Sequence, residues 1–270
     1  MPEMADVEVL KRRFNEEMKG ATITGLKILN PALVKVSDLE KRLTGEKILE
    51  AQRYGKYLFI KINANGWLII HFGLTGHLIF EKELPQKFSS EAMLVISTDL
   101  FHLIYEAGRI FGMVGWCNAP QDFIQEKKMG PDAGAISKAE FLKRMRGLKG
   151  AVKPALMDQH KIAGVGNVYA DEILFQAEIH PQESIKNLTE EQLKTIYDQL
   201  HRVHDAAVKV DAVRTRMPEW AMMKIRKTSR ICPKCGKKLE MTLLNNRETL
   251  TCPQCQKKHQ AGLELNLGRL

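Results

Sequence analysis

The chain has 270 residues, of which 44% are hydrophobic and 27% are charged, and its formal net charge is +9. This composition excludes an intrinsically disordered protein, and no apolar run reaches the roughly 18 to 20 residues that cross a bilayer. The N-terminus lacks the basic and then apolar pattern of a secretory signal. We therefore expect a cytoplasmic protein without membrane contacts, with two domains and a small appendage.

The positive charge is confined to one part of the chain. Twelve Lys and Arg residues against three acidic residues lie between positions 214 and 259, so this stretch accounts for the whole formal net charge of +9. Such segregation is typical of a surface that binds a polyanion. The alternative is a solubilising, solvated segment.

An amphipathic helix is the first predicted element. Apolar residues recur at helical spacing after Pro2, and Gly20 is well placed to end the helix. The apolar positions are Val7, Leu10, Phe14 and Met18.

Pro2 allows two interpretations. Proline is common at the start of a helix, where its missing N–H costs nothing, and the stretch alone favours this reading. If Met1 is removed, however, Pro2 presents a secondary amine beside the carboxyl group of Glu3. Such an amine can attack an electrophilic carbon and form an iminium.

Residues 21–117 predict an antiparallel β-sandwich. Short runs rich in β-branched and aromatic residues are separated by turn residues, as at 63–66 and 75–76. The runs are 21–29, 56–62, 67–74, 77–80, 92–97, 101–107 and 110–116.

The pattern becomes helical after a Gly, Pro and Asp stretch at 129–134. Two capping-box patterns predict helix starts, Ser137 with Glu140 and Thr189 with Gln192. The second helix carries an apolar stripe. The stripe is Leu193, Ile196, Tyr197, Leu200, Val203 and Ala207.

A glycine-containing segment at 161–172 lies between helical patterns. Gly164 and Gly166 permit backbone geometries closed to other residues, and Asn167 falls where the next helix begins. The amides there could hold a phosphate, but glycine spacing alone does not exclude a plain turn between helices. No strand precedes the segment, which argues against a P-loop.

Four cysteines have the spacing of a zinc site. They are arranged as Cys232-x2-Cys235-x16-Cys252-x2-Cys255, so that two turns each present two thiolates to one metal ion. Disulfides are disfavoured in a reducing compartment. The segment 230–256 reads as a two-stranded hairpin that turns near 245–246.

The remaining cysteine and several histidines are interpreted as structural. Cys117 stands in an apolar context and is expected to be a small buried hydrophobe. His71 is expected to pack or hydrogen-bond inside the fold. His201 and His204 are three residues apart on a helix, but four cysteines already complete a metal shell.

These features together resemble the formamidopyrimidine-DNA glycosylase and endonuclease VIII family of base-excision repair enzymes. The resemblance runs from residue 2 to about residue 256, and it depends on the order of the motifs. The matching segments are 2–3, 53–58, 71–76, 109–112, 129–132, 161–172 and 232–255.

The resemblance implies a bifunctional DNA glycosylase and AP lyase. The nitrogen of Pro2 would attack C1′ of a damaged nucleotide, and Glu3 would protonate the sugar ring oxygen. The base then leaves, and the resulting iminium allows the strand to be cut by elimination. The implied catalytic residues are Pro2, Glu3, Lys56 and Asp6.

The same resemblance implies a set of DNA contacts. Leu74, Arg109 and Phe111 would fill the gap that a flipped nucleotide leaves in the duplex. Phosphates would be held by Lys56, Asn167 and Arg247, and Lys161 would also face DNA. For Leu74 and Phe111 the plainer interpretation is core packing, and for Arg247 it is a solvated turn.

The implied architecture is α+β, with one structural Zn²⁺. It comprises an N-terminal helix and β-sandwich domain at 1–118, a helical domain with a helix-two-turns-helix element at 119–229, a zinc finger at 230–256 and a tail at 257–270. The partner would be double-stranded DNA with a damaged base, bound by a monomer near the nucleoid.

Two departures from the family pattern leave an alternative open. Asp6 stands where the family has a second glutamate, and the segment 213–230 lacks the glycine- and threonine-rich loop of purine-specific members. The chain could therefore be a catalytically lapsed relative that binds damaged DNA through its zinc finger. A zinc ribbon for RNA or protein assembly would explain only the last 50 or so residues.

Overall fold

The computed structural model describes residues 2–62 and 66–258. They form two compact units. The first contains the described residues of Met1–Ala135, Asp158–Gly166 and His204–Val213, and the second contains those of Ile136–Met157, Asn167–Val203 and Arg214–Leu270. Among the described helices, none is both long and apolar enough to cross a bilayer.

The first unit opens with the predicted amphipathic helix. Helix α1 spans Met4–Arg13 and continues as a wider π-helical turn over Phe14–Met18. Gly20 then has a φ of +88°, a value that favours glycine and ends the helix. The apolar stripe packs into the core between the sheets, so the prediction from its spacing is confirmed.

A sandwich of two antiparallel sheets follows, which confirms the predicted fold class. One sheet has the strand order β1-β6-β7-β5 and the other β2-β3-β4-β8. The strands are β1 Ile23–Ile28, β2 Ile48–Tyr54, β3 Tyr57–Ile62, β4 Gly66–His71, β5 His77–Glu81, β6 Ala92–Thr98, β7 His102–Glu106 and β8 Met113–Cys117.

The pattern-based reading missed strand β2 and the short helix α2, Leu39–Leu43. Strand β2 has the sequence ILEAQRY and mixed burial, and the side chain of its Arg53 is buried because Asp132 and Glu8 pair with it. The strand therefore has no apolar run from which it could be predicted. Residues 63–65, within one predicted turn, lie outside the described residues.

The remaining helices include the two with predicted capping boxes. Ser137 Oγ accepts the Glu140 N–H at 3.3 Å, and Thr189 and Gln192 cap each other reciprocally at 2.8 and 3.2 Å. The helices are α3 Pro120–Glu126, α4 Lys138–Arg146, α5 Val152–Met157, α6 Asn167–Gln176, α7 Glu190–Lys209 and α8 Met222–Ile225.

The second unit contains the predicted hairpin. Strands β9, Glu240–Leu244, and β10, Arg247–Thr251, pair through a turn at Asn245 and Asn246, whose φ values are +49° and +59°. Positive φ at both central residues is the two-residue hairpin geometry that asparagine tolerates. Of the tail at 257–270, residues 259–270 lie outside the described part of the chain.

Candidate active site

The start of helix α1 forms a buried corner of the first unit. Glu3 is the N-cap residue and is 1% exposed. Its N–H donates to Asp6 Oδ2 at 2.9 Å, and the Asp6 N–H donates back to the Glu3 side chain. Pro2 is half-buried and precedes the N-cap, so it lies outside the helix. The preference of proline for the first helical turn therefore does not explain Pro2.

A loop of the first unit, 158–166, closes this corner. The Met4 N–H donates to the Gly164 carbonyl at 3.2 Å. A Cβ atom on Gly166 would lie 2.3 Å from Glu3 Cδ, so the carboxyl group rests directly on the glycine backbone. Gly164 has a φ of +119°, which other residues rarely adopt. Both glycines thus serve close packing around Glu3.

An ion-pair cluster, Arg53 with Asp132 and Glu8, holds the turn between β2 and β3 in the same unit. The Arg53 guanidinium donates to both Asp132 oxygens, at 2.5 and 2.7 Å, and to Glu8 at 2.9 Å. Asp132 also accepts the N–H groups of Gly55 at 2.6 Å and Gly134 at 2.9 Å. No pattern in the sequence predicts this cluster, although Arg53 and Asp132 each lie in a segment that matches the family motifs.

Lys56 follows Gly55 in that turn. A Cβ atom on Gly55 would contact Ala163 Cβ at 3.1 Å and would lie 3.5 Å from Gly164 N. The turn and the loop against Glu3 are therefore in direct contact. The structure thus brings the segments of Pro2, Glu3 and Lys56 together within the first unit.

His71 packs beside this turn, as predicted. Its ring packs at a tilt against Tyr57 with centroids 4.6 Å apart, and its Nδ1 accepts the Gly73 N–H at 3.3 Å. Burial, and then the nearby charge of Lys56, lower the pKa of His71 to about 4. The imidazole is therefore neutral at physiological pH.

Leu74, Arg109 and Phe111 lie on two adjoining exposed loops. The Arg109 N–H donates to Thr75 Oγ1 at 3.0 Å, and a Cβ atom on Gly73 would lie 2.3 Å from the backbone of Phe111. Leu74 is 37% exposed and Phe111 59% exposed. The core-packing interpretation of these two residues is wrong.

The residues expected to contact phosphates divide between the units. Lys56 and the exposed Lys161 belong to the first, whereas Asn167 and Arg247 belong to the second. Asn167 begins helix α6, as predicted, and its Nδ2 donates to the Glu248 carbonyl at 2.8 Å. The structure therefore connects Asn167 to the hairpin residue that follows the exposed Arg247.

The four cysteines of the second unit form a cluster that could hold a metal ion. Their Sγ atoms all lie within 4.8 Å of one another. The Sγ separation is 3.5 Å between Cys235 and Cys252 and 3.9 Å between Cys232 and Cys255. Thiolates about 2.3 Å from a tetrahedral metal ion are about 3.8 Å apart, so the cluster fits such an ion. A hydrogen bond from the Lys237 N–H lowers the pKa of Cys235 to about 7.

The other candidate ligands behave as structural side chains. Within the described residues, the cysteine cluster is the one group of this kind with metal-binding geometry, and neither His201 nor His204 belongs to it. Cys117 is half-buried rather than buried, and burial raises the pKa of its thiol to about 11.

Comparison with known proteins assigns the family. Models of the Formamidopyrimidine-DNA glycosylase N-terminal domain and H2TH domain match residues 1–114 and 129–219. The formamidopyrimidine-DNA glycosylase of Shewanella pealeana is 30% identical over 273 residues, which cover 96% of this chain and 100% of that protein. The chain belongs to the formamidopyrimidine-DNA glycosylase family. The relative from Solibacter usitatus is 29% identical with the same coverage.

Solved structures of the family share the fold. MutM in complex with DNA containing carbocyclic 8-oxo-G has a TM-score of 0.85 at 28% identity. Lactococcus lactis Fpg in complex with DNA containing an abasic site has a TM-score of 0.85 at 27% identity. Each comparison covers 95% of this chain and 100% of the other.

Within the segment 213–230, the backbone of residues 220–223 is hydrogen-bonded to helix α6. Glu172 accepts the N–H groups of Met222 at 3.2 Å and Met223 at 2.6 Å, and Gln176 binds the Trp220 carbonyl at 2.9 Å. Burial raises the pKa of Glu172 to about 7. Glu172 was not predicted from the sequence. The feature that could have indicated it is an acidic residue among the apolar residues of helix α6.

Proposed function

We propose that this protein removes an oxidised or ring-opened base from double-stranded DNA, with the nitrogen of Pro2 as the nucleophile. Its class follows from its family, whose members are DNA N-glycosylases with AP lyase activity. One observation carries the proposal for the residues. The buried carboxyl group of Glu3 adjoins Pro2 in the chain and is held against Gly166.

The chemistry requires an uncharged nitrogen and an acid. After Met1 is removed, the nitrogen of Pro2 attacks C1′ of the damaged nucleotide while Glu3 protonates the ring oxygen, and the base departs. An N-terminal amine with a reference pKa near 7.7 to 8 keeps a useful neutral fraction at pH 7. Asp6 completes the site by orienting the Glu3 backbone.

Loss of the base leaves an iminium between the nitrogen of Pro2 and C1′. This iminium makes the sugar C2′ proton acidic, so the neighbouring phosphate is eliminated and the strand is cut. Lys56 binds the phosphate at this nucleotide from the turn that adjoins the Glu3 loop. His71 beside it is neutral and adds no charge to that of Lys56.

The exposed loops supply the plug for the duplex. Extrusion of a nucleotide costs a few kcal/mol of stacking, and the half-exposed ring of Phe111 and the side chain of Leu74 can replace part of it. Arg109 hydrogen-bonds the base left without a partner. Lys161, Asn167 and Arg247 bind phosphates of the DNA backbone.

The metal of the cysteine cluster is proposed to be one structural Zn²⁺. All four ligands are sulfur, and four thiolates complete a closed tetrahedral shell that suits zinc. Zinc would supply the stability of the hairpin, because such small motifs fold only with metal. Metal analysis should give about one zinc per chain in the intact protein, and Cys235→Ser should lower that content and the DNA affinity together.

Borohydride trapping tests the nucleophile. The protein should become covalently attached to a duplex with an abasic site, and peptide mass analysis should locate the adduct on Pro2. Pro2→Gly keeps a free amine but should reduce trapping at least about tenfold, because the secondary amine is lost. Pro31→Gly, in an exposed 3₁₀ turn of the same unit, is the matched control.

Two results would contradict the proposal. Met1 retained in an active preparation leaves no secondary amine at Pro2. Tight, salt-sensitive DNA binding without trapping on any abasic or damaged duplex would instead assign the protein as the lapsed, binding-only relative.

In the proposed role the protein acts as a monomer in the cytoplasm, at the nucleoid.

A further inference from the structure

Three buried ionised side chains of the second unit contact the hairpin that carries Arg247. Lys153 is 1% exposed, Asp171 0% and Arg226 7%. The Asp171 carboxylate lies 2.7 Å from Lys153 Nζ and 2.7 Å from Arg226 Nη1. Two cations thus share one carboxylate in the interior, where uncompensated charge is costly. The N–H groups of the two cations that do not reach Asp171 require further acceptors.

These acceptors are oxygens of strand β10 immediately after Arg247. Lys153 Nζ donates to the Glu248 carbonyl at 3.1 Å and to Thr249 Oγ1 at 2.7 Å. Arg226 Nη2 donates to the same carbonyl at 3.3 Å. The Thr249 hydroxyl in turn donates to the carbonyl of Arg247 at 3.1 Å. The charged side chains of Lys153 and Arg226 therefore hold the backbone on the C-terminal side of Arg247.

Asn167 is connected to the same point. Its Nδ2 donates to the Glu248 carbonyl at 2.8 Å, and Asp171 lies four residues later on the same face of helix α6. Asp171 Oδ2 also accepts the Leu250 N–H at 3.1 Å. The start of α6 and the strand that carries Arg247 therefore meet through one set of directed hydrogen bonds.

Stability alone does not explain why the side chains of this cluster are charged. Apolar side chains of similar volume often stabilise an interior as well as a buried ion pair does. Charged groups differ because they fix the direction of the oxygen atoms that they bind. In this cluster, the oxygens that they fix adjoin two side chains that are proposed to bind DNA.

We infer that Lys153, Asp171 and Arg226 are positioning residues that hold Asn167 and Arg247 in a fixed arrangement for the DNA phosphate backbone. This inference rests on the proposed function, in which Asn167 and Arg247 are phosphate ligands. The three residues themselves are buried, so they act through Glu248 and Thr249 rather than by touching DNA.

The test is a double-mutant cycle in which the DNA affinity of each variant is measured at several salt concentrations. Lys153→Met and Arg247→Ala are each compared with the intact, zinc-loaded protein on a duplex with an abasic-site analogue. Each should weaken binding about tenfold and lower the slope of log Kd against log salt by about one, the contribution of one phosphate contact. The double variant should bind no more than about twofold more weakly than either single variant.

Lys194→Met is the matched control. Lys194 belongs to the same unit and forms its ion pairs with Glu190 and Glu191 on the exposed face of helix α7. The control should leave both affinity and salt slope unchanged. Zinc content and thermal unfolding, measured for every variant, report whether the hairpin is still folded.

A second variant keeps the test decisive if Lys153→Met does not fold. Thr249→Val removes only the hydroxyl that relays Lys153 to the Arg247 carbonyl, with no charge left unpaired. It should reproduce the lower salt slope and show the same lack of additivity with Arg247→Ala. A normal salt slope for a folded Thr249→Val would overturn the inference.

The outcomes separate the inference from the proposed function. Additive losses for Lys153→Met and Arg247→Ala would make Lys153 a purely structural residue and leave the phosphate role of Arg247 intact. An Arg247→Ala variant with unchanged affinity and slope would overturn both that phosphate role and the inference. Neither result affects borohydride trapping at Pro2, which is measured separately.

Discussion

Each of the two units contains a buried cluster of charged side chains, and the two clusters are built around different groups. In the first unit one cation, Arg53, is bound by two carboxylates, Asp132 and Glu8. In the second unit one carboxylate, Asp171, is bound by two cations. Glu8 also pairs with Lys11, so the difference lies in the group at the centre, which is a guanidinium in the first cluster and a carboxylate in the second.

The type of charged group decides which backbone groups each cluster holds, because carboxylates accept from N–H groups and cations donate to carbonyl oxygens. Asp132 accepts the N–H groups of Gly55 and Gly134, so the first cluster fixes the turn before Lys56. The cations of the second cluster donate to the Glu248 carbonyl, so this cluster fixes the strand after Arg247. In both units, buried charge thus sets the backbone position beside a proposed phosphate ligand.

Removing the carboxylate of the first cluster should have the largest effect on stability. Asp132→Asn leaves the buried guanidinium of Arg53 without its main partner, since Asp132 is 7% exposed. The free energy of unfolding should fall by about 3 to 5 kcal/mol in urea denaturation. Asp38→Asn, in an exposed ion pair with Arg42, should have no measurable effect. Equal losses in the two variants would show that the burial of Arg53 is not important.

The second unit should lose stability as pH rises, because of Glu172 beside Asp171. The folded pKa of Glu172, about 7, lies above the unfolded value of 4.5, so the folded state binds more protons between these values. This contribution is complete below pH 4.5 and is lost as pH rises through 7, by about 3 kcal/mol.

Glu172→Gln should remove that pH dependence and keep an oxygen acceptor for Met222 and Met223. Urea unfolding at several pH values between 5 and 8 measures it. Glu191→Gln, on the exposed face of α7, should keep the wild-type profile. A Glu172→Gln variant with the wild-type profile would contradict the raised pKa.

Gly166→Ala tests whether shape, rather than charge, holds the proposed acid. The added methyl group would lie 2.3 Å from Glu3 Cδ and must displace the carboxyl group. Base excision should fall about 100-fold, because misplacement by about 1 Å can cost that much, with little change in thermal unfolding. Gly147→Ala, with open space around its Cα, is the control. Normal excision by Gly166→Ala would show that Glu3 does not act from this position.

The smallest of these effects is expected for the exposed loops. Phe111→Ala should weaken binding to an abasic-site duplex about tenfold, since stacking on one base contributes about 1 to 3 kcal/mol. Stability should not change, because Phe111 is 59% exposed. Leu100→Ala, at 50% exposure, serves as the control for a lost surface hydrophobe. Equal affinity for the Phe111→Ala and Leu100→Ala proteins would rule out the plug.

Patterns between neighbouring residues were enough to predict much of the fold. The helical spacing of the first apolar residues, the reciprocal cap of Thr189 and Gln192, and the asparagine turn of the hairpin each depend on residues a few positions apart. The cysteine spacing likewise brought the four sulfurs to one point, as predicted. Strand β2 was not predicted because its charged residues interrupt the apolar pattern, and the partners of Arg53 are distant in sequence.

Only the tertiary structure decided how the candidate site is held. Arg53 and Asp132 are 79 positions apart in sequence, and Lys153 meets Glu248 across 95. The exposure of Phe111 and the fit of Glu3 against Gly166 likewise depend on which segments the fold brings together. The sequence by itself determined the local elements, because their interactions join residues a few positions apart, and the cysteine cluster, because its pairs have a recognisable spacing within one hairpin segment. Buried charge pairs between remote segments have no local pattern, and so only folding revealed them.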